Sequence, residues 1–269
     1  MTLLADVVTA SREISETNSR ARKIAILAEL LRRLDTNEIP IAVGFLSGVP
    51  HQGRVGVGYS IAYGVTGTAA AKASLTVDDV DRAISAVQRA IGSGSSTRRR
   101  QILGDLLGRA TERESDFLRR ILTGELRQGA LGGLMLDAVS GAAGVSGEVV
   151  RRAVMLSGDL PHTAAIAMTL GEQGLRDVGF EIFRPILPML ASTAESVVEA
   201  IAGFHGTSVE WKLDGIRIQV HRREDEVRIY TRNLNDITDA LGGIADAVRR
   251  LPVRQAVLLR MATDLRPRR

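Results

Sequence analysis

The sequence predicts an all-α N-terminal domain followed by the incomplete start of an α+β domain. Before about residue 180, apolar residues recur with the 3.6-residue period of helices. Pro185 and Pro188 then favour an extended connection, because proline fixes φ and disfavours helix at the preceding residue. Beyond residue 205 the apolar period becomes two, as in half-buried strands. The predicted domains are 1–182 and 193–269, and the predicted linker between them is 183–192.

Composition narrows the class of protein. The 269 residues are 45% hydrophobic, enough to bury the core of one or two domains. The absence of cysteine excludes a disulfide scaffold and a cysteine-based zinc site. There is no N-terminal signal pattern and no apolar run of membrane-spanning length, so we expect a cytoplasmic protein without a membrane partner. A net charge of +4 permits a polyanionic partner, but an arginine-rich composition is also what a GC-rich genome produces.

Apolar spacing and two capping signals define the helices that we predict. Thr76 with Asp79 and Thr111 with Glu114 match the capping box. The small residues at 92–96 predict a loop between the helix that follows the first box and the next helix, which precedes the second box. The apolar residues at helical spacing are Leu27, Leu30, Leu31 and Leu34, then Val80, Ile84, Val87 and Ile91, then Ile102, Leu103, Leu106, Leu107 and Ala110, and then Phe117, Leu118, Ile121 and Leu122. Further helices are predicted at 131–142, 147–157 and 162–170, and the one hint of a strand in this domain is at 55–63.

The second domain is predicted from alternation and turn signals. Residues 209–213 and 216–221 alternate between apolar and polar side chains, and Asp214-Gly215 between them is typical of a hairpin turn. A third strand is predicted at Val227 and Ile229, a helix at 241–248 and a further strand from Gln255.

The predicted hairpin collects charged side chains that could carry chemistry. Glu210, Lys212 and Asp214 share one face of the first strand, and Arg217 follows the turn. One interpretation is a solvated sheet face with an ion pair. The other is a nucleophilic lysine, whose amine must lose its proton to attack. A neighbouring cation favours that loss and the two carboxylates oppose it, so composition leaves both interpretations open.

The residues around Lys212 resemble a known signature. Lys212-Leu213-Asp214-Gly215-Ile216-Arg217 resembles the KxDGxR motif of covalent nucleotidyltransferases, namely DNA ligases, RNA ligases and mRNA capping enzymes. Three further segments, in the expected order, resemble ATP-dependent DNA ligases of the bacterial and archaeal type with an N-terminal helical DNA-binding domain. These segments are Thr123 to Gly129, Pro185 to Ala191, and Tyr230-Thr231-Arg232-Asn233 with Asp236.

The resemblance implies a function and roles for individual residues. It implies that Lys212 attacks the α-phosphate of ATP to form lysyl-AMP, with Mg²⁺ as cofactor, and that the AMP then activates a nick in duplex DNA during repair, replication or recombination. Glu210 matches the position that contacts adenine, Arg217 the ribose contact, and Arg232 a contact to the nucleotide or the nick phosphate. Asp214 and Gly215 shape the turn, and no residue is assigned as a metal ligand.

Two groups in the helical domain are candidates for DNA contact. The resemblance places Gly124, Arg127 and Gly129 in a loop that brings backbone N–H groups and an arginine to phosphates; spacing alone favours a plain connector between two helices. Three consecutive arginines after the predicted loop are also phosphate-contact candidates or a solvated basic face. These are Arg98, Arg99 and Arg100. The implied partner is nicked double-stranded DNA, bound by a monomer.

One departure from the family pattern affects the expected activity. Where the family continues with Asp-Gly-Glu after Leu258, this chain has Leu259, Arg260 and Met261. We therefore expect a ligase chain truncated within its adenylation domain and inactive in sealing. The alternative hypothesis is a non-catalytic DNA-binding remnant.

Overall fold

The computed structural model describes residues 1–53, 55–65, 68–126, 131–188, 194–204, 206–207 and 215–262. These residues form two compact units. The first, here the helical unit, comprises 1–153 and 159–178; the second, here the sheet unit, comprises 154–158 and the residues from 179 onward. An all-α unit followed by a partial α+β unit is the fold class that the sequence predicted. None of the described helices is long and apolar enough to cross a membrane.

The helical unit is built from ten helices within the described residues, the ninth of which ends in the sheet unit. Helix α2 packs against α8, and α10 packs against both α3 and α8, which places the core between these elements. The helices are α1 Leu4–Glu16, α2 Arg20–Arg33, α3 Ile39–Leu46, α4 Tyr59–Ala62, α5 Val77–Arg89, α6 Ser95–Arg109, α7 Glu112–Thr123, α8 Leu131–Ala143, α9 Gly147–Ser157 and α10 Leu160–Asp177.

Both predicted capping boxes are present. Thr76 and Thr111 each accept a hydrogen bond from the backbone N–H three residues later, and the side chains of Asp79 and Glu114 accept one from the backbone N–H of the cap residue. Each box satisfies backbone donors that a helix start leaves without partners. The apolar residues predicted for α7 are buried, as are the first three predicted for α5.

Three details of the helical prediction are wrong. Helix α5 ends at Arg89, so Ile91 lies outside it and is 81% exposed. Helix α6 begins at Ser95, because Gly94 with φ 77° precedes it, so the loop spans 90–94 and lies two residues earlier in the chain than predicted. The hint of a strand at 55–63 corresponds to the single turn α4, preceded by irregular backbone.

The sheet unit contains three described strands, β1 Ile216–Arg223, β2 Glu226–Thr231 and β3 Gln255–Ala262. Their order is β2-β1-β3, with both pairings antiparallel. Helices α11 Val197–Ile201 and α12 Gly242–Arg249 belong to the same unit. One face of the sheet packs with α12 to form a small core of Ile218, Val220, Val227, Ile229, Ala245 and Val248. The strand predicted at 209–213 lies outside the described residues.

Candidate functional site

The predicted nucleophile, Lys212, lies outside the described residues, as does Glu210. The described part of the chain resumes at Gly215, immediately before β1. Arg217 is exposed near the start of β1, and its guanidinium makes no hydrogen bond or ion pair with another described residue. Its Cα pairs with that of Met261 on β3, the position at which the family pattern has a glutamate. The central strand of the sheet therefore follows directly from the signature segment.

Hydrogen bonds fix the turn after β2, which carries Arg232. The backbone N–H of Thr231 donates to the carbonyl of Asn235 (2.9 Å), and the Asn235 N–H returns a bond to the Thr231 hydroxyl (3.2 Å). Asp236 accepts from the backbone N–H (2.9 Å) and the hydroxyl of Thr238, and these bonds lower the pKa of its carboxyl. The Arg232 side chain is exposed and makes no hydrogen bond or ion pair with another described residue. The turn is thus fixed while its arginine stays available to an anionic ligand.

The second face of the sheet binds the proline-containing segment at 183–186. The Phe183 N–H donates to Nδ1 of His221 (3.0 Å), and the Tyr230 hydroxyl donates to the Phe183 carbonyl (2.9 Å). Gln219 accepts from the Ile186 N–H (3.0 Å) and donates to the Ile186 carbonyl. We call Gln219, His221 and Tyr230 the linker clamp, because they satisfy both backbone groups of two residues in the predicted linker.

The clamp histidine is fully buried, and burial lowers its pKa. Since Nδ1 accepts a hydrogen bond, Nε2 must carry the proton of the neutral ring. Nε2 has no hydrogen-bond partner among the described residues. The sequence did not predict that Gln219 and His221 bind the backbone of the linker. Alternation placed both residues on the polar face of β1 but gave no indication of which segment covers that face.

The DNA-contact loop predicted in the helical unit is described at its start. Gly124 ends α7 with φ 73°, a conformation that favours glycine, and its N–H donates to the carbonyls of Arg120 and Ile121. Leu126 is buried. Arg127 and Gly129 lie outside the described residues.

The three consecutive arginines of α6 differ in their contacts. The Arg99 guanidinium donates to the carbonyls of Val87 (3.2 Å) and Gly56 (2.9 Å), so it ties α6 to α5 and to the segment before α4. Arg98 and Arg100 are exposed, and their guanidinium groups make no hydrogen bond or ion pair with another described residue. The structure therefore leaves two of the three free for a ligand and commits the third to the fold.

A cavity of about 420 Å³ adjoins Gly124 and was not predicted from the sequence. A glycine-rich segment at 48–57 and the end of α7 at 121–124 line it. Helix α5 holds this segment, because His51 Nδ1 lies 3.0 Å from Asp81 Oδ1 and the Gln52 amide donates to Asp81 (2.8 Å). The repeated glycines of 48–58 were the available signal, since a backbone free of side chains allows close approach of a ligand.

Comparison with known proteins identifies the family. Residues 59–140 match the family described as DNA ligase N terminus, and residues 188–259 match the ATP dependent DNA ligase domain. The chain belongs to the ATP-dependent DNA ligase family. The ligase match in the sheet unit covers all of β1 and β2 and ends within β3.

Curated relatives extend the similarity over nearly the whole chain. A probable DNA ligase of Saccharopolyspora erythraea is 49% identical over 258 residues, covering 96% of this chain and 51% of the relative. One of Rhodococcus opacus is 49% identical, covering 95% and 51%, and one of Mycolicibacterium vanbaalenii is 46% identical, covering 98% and 50%. This ligase-family chain therefore spans about half the length of the curated relatives it matches.

Two of the predicted site residues, Arg217 and Arg232, are exposed in the described part of the sheet unit. Among the described residues, no group of three or more histidine and acidic side chains is placed to hold a metal ion.

Proposed function

We propose that this chain provides the DNA-binding part and the nucleophile of an ATP-dependent DNA ligase. The observation that carries the proposal is the KxDGxR signature at Lys212, inside the segment that matches the ligase domain and directly before the central strand of the sheet unit. The exposed Arg217 and Arg232 support it, since both are free to bind nucleotide. The helical unit would bind nicked duplex DNA as a monomer, and ATP with Mg²⁺ would be the cofactors.

The first chemical step forms a covalent enzyme intermediate. The Lys212 amine loses a proton and attacks the α-phosphorus of ATP; an N–P bond forms, the bond to the bridging oxygen breaks, and pyrophosphate leaves. A lysine with the ordinary pKa of about 10.4 is almost wholly protonated at neutral pH, so a neighbouring cation would promote the step by favouring the neutral amine. We propose Arg217, from the same signature, as that cation.

The complete ligase reaction has two further steps on DNA, which we do not expect this chain to carry out alone because its sequence departs from the family pattern after Leu258. The 5′-phosphate at the nick attacks the phosphorus of lysyl-AMP and displaces the Lys212 amine, which takes up a proton. The 3′-hydroxyl then attacks the activated 5′-phosphate, forms the phosphodiester and releases AMP. Both steps depend mainly on holding the reacting groups in line, to which phosphate contacts from the helical unit would contribute.

Labelling with ATP tests the nucleophile. The purified chain is incubated with Mg²⁺ and ATP labelled on its α-phosphate, and the adduct is mapped by mass spectrometry. We expect label on Lys212 and none in Lys212→Ala. Lys23→Ala and Lys72→Ala are the matched controls, because these are the other two lysines of the chain, and both should keep the label. An adduct on Lys23 or Lys72 would overturn the assignment, and no adduct at all would favour the DNA-binding alternative.

Duplex binding tests the helical unit. Arg127→Ala should weaken binding to nicked duplex by about 1 kcal/mol, the scale of one charged hydrogen bond. Arg98→Ala and Arg100→Ala should act in the same direction and reduce the slope of log affinity against log salt, because each removes a phosphate contact. Arg99→Ala should instead lower the melting temperature, since its guanidinium holds two backbone carbonyls. Binding that is insensitive to salt would contradict the proposal.

A further inference from the structure

Two tyrosines form an exposed pair on the helical unit. Tyr59 and Tyr63 stack with ring centroids 5.6 Å apart, and their exposed fractions are 56% and 44%. Arg119 of α7 anchors the segment that carries both tyrosines, helix α4 and the residues directly after it. Its guanidinium donates to the carbonyls of Ala62 (3.1 Å) and Val65 (2.9 Å) and lies 5.9 Å from the Tyr63 ring centroid.

The hydroxyl groups of this pair converge on one carboxylate. The Tyr63 hydroxyl donates to Glu125 Oε2 (3.2 Å). The Thr123 hydroxyl, whose shorter hydrogen bond is to the Arg119 carbonyl (2.9 Å), shares its proton with the same carboxylate oxygen at 3.3 Å. Tyr59 also donates to Glu125, and its hydrogen bond is the largest cause that lowers the pKa of this carboxyl; partial desolvation opposes it, and the bonds from Tyr63 and Thr123 add to it. Glu125 thus stays ionised, with its charge directed toward three hydroxyl groups.

The backbone on either side of Glu125 is also held. Gly124 closes the end of α7, and the Glu125 N–H donates to the Arg120 carbonyl (2.8 Å). A Cβ on Gly48 would lie only 2.9 Å from the Leu126 carbonyl oxygen, so the two segments meet with space for glycine alone. Because the backbone around Glu125 is fixed, the hydroxyl partners of its carboxylate determine the direction of the side chain.

A carboxylate at this position is at odds with binding to a polyanion. Glu125 adjoins Gly124 at the start of the loop proposed to contact DNA phosphates, and like charges close together disfavour binding. The three hydroxyl partners of Glu125 stabilise its negative charge and hold its carboxylate in one direction. A glutamate released from them would be free to point toward the phosphates.

We propose that Tyr59, Tyr63 and Thr123 form a hydroxyl cage that holds the Glu125 carboxylate back from bound DNA. The inference rests on the proposed function of the helical unit, and it makes the three cage members positioning residues for duplex binding. The cage differs from a stacking platform, in which the exposed rings would contact bases directly. The two are distinguishable, because the cage acts through the Glu125 charge and a platform does not.

The test is a double-mutant cycle read by binding to nicked duplex. Tyr63→Phe removes the hydroxyl and keeps the ring, the stack and the contact with Arg119. We expect it to weaken binding about threefold to fivefold at low salt, the effect of losing one modest hydrogen bond. The loss should shrink as salt rises, because it comes from a charge. Glu125→Gln should not weaken binding, and Tyr63→Phe should have no effect in the Glu125→Gln background.

The control and the contrary outcomes separate this inference from the proposed function. Tyr230→Phe, the same change at the only other tyrosine of the chain, should leave binding unchanged. If Tyr63→Phe weakens binding equally with Glu125 and with Glu125→Gln, the cage is overturned in favour of a direct contact between the tyrosine and DNA. If Tyr63→Phe causes no loss of binding while Arg127→Ala does, the cage is overturned and the proposed function stands. If the unaltered chain does not bind duplex, the proposed function fails and the cage fails with it.

Discussion

At the scale of single residues, His221 makes the sheet unit sensitive to pH. Its folded-state pKa lies below the ordinary 6.5 because the ring is buried. Between these two values the unfolded chain binds more protons than the folded one, so stability falls as pH falls below about 6.5 and is fully present above it. Protonation also places a hydrogen on Nδ1, which removes the acceptor for the Phe183 N–H.

Hydrogen exchange followed by mass spectrometry measures this effect locally. Peptides covering β1 and β2 should lose protection between pH 7 and pH 5, after correction for the intrinsic pH dependence of exchange. His221→Asn retains an acceptor near the position of Nδ1 but cannot titrate. In this variant the β1 and β2 peptides should be less protected at pH 7 than in the unaltered chain, and their protection should change less with pH. An equal pH dependence in both proteins would contradict the assignment to His221.

At the scale of elements, the capping box of α5 should govern the acid stability of the helical unit. Partial burial alone would raise the pKa of Asp79, but hydrogen bonds from the Thr76 N–H and Arg82 and the charge of Arg109 lower it to about 2. The stabilisation is therefore present above the ordinary 3.8 and is lost as pH falls through about 2. Thr76→Ala should cost about 1 kcal/mol at neutral pH, the usual value of an N-cap.

Urea unfolding followed by helical circular dichroism checks the Asp79 contribution. The difference in unfolding free energy between the unaltered chain and Asp79→Asn should be largest at neutral pH and shrink between pH 4 and pH 2. Asp105→Asn on α6 is the matched control, because Asp105 is exposed and its carboxylate makes no hydrogen bond or ion pair within the described part of the chain. A constant difference for Asp79→Asn down to pH 2 would show that its carboxylate is not the stabilising group.

The elements also show where sequence reasoning succeeds. Both capping boxes were predictable because their partners lie three residues apart in the chain. The commitment of Arg99 was not, because its partner Gly56 is 43 residues away and only the fold distinguishes Arg99 from Arg98 and Arg100. Burial of Gln219 and His221 was missed for the same reason: both are covered by a segment more than 30 residues earlier.

At the scale of the whole molecule, the proposed function assigns different ligands to the two units. Each unit has its own core. A ligand that binds only the folded state stabilises the part it contacts, by an amount that grows with its concentration relative to Kd. Duplex DNA should therefore act on the helical unit and ATP on the sheet unit.

Hydrogen exchange on the full chain can test this division. Nicked duplex should slow exchange in peptides around α6 and the end of α7, and this protection should disappear at high salt because it depends on phosphate contacts. ATP with Mg²⁺ should slow exchange in peptides covering β1 and the turn that carries Arg232. Arg232→Ala should weaken the second effect while leaving the first intact. Protection of the sheet unit by DNA alone, with none in the helical unit, would reverse the assignment of the two units.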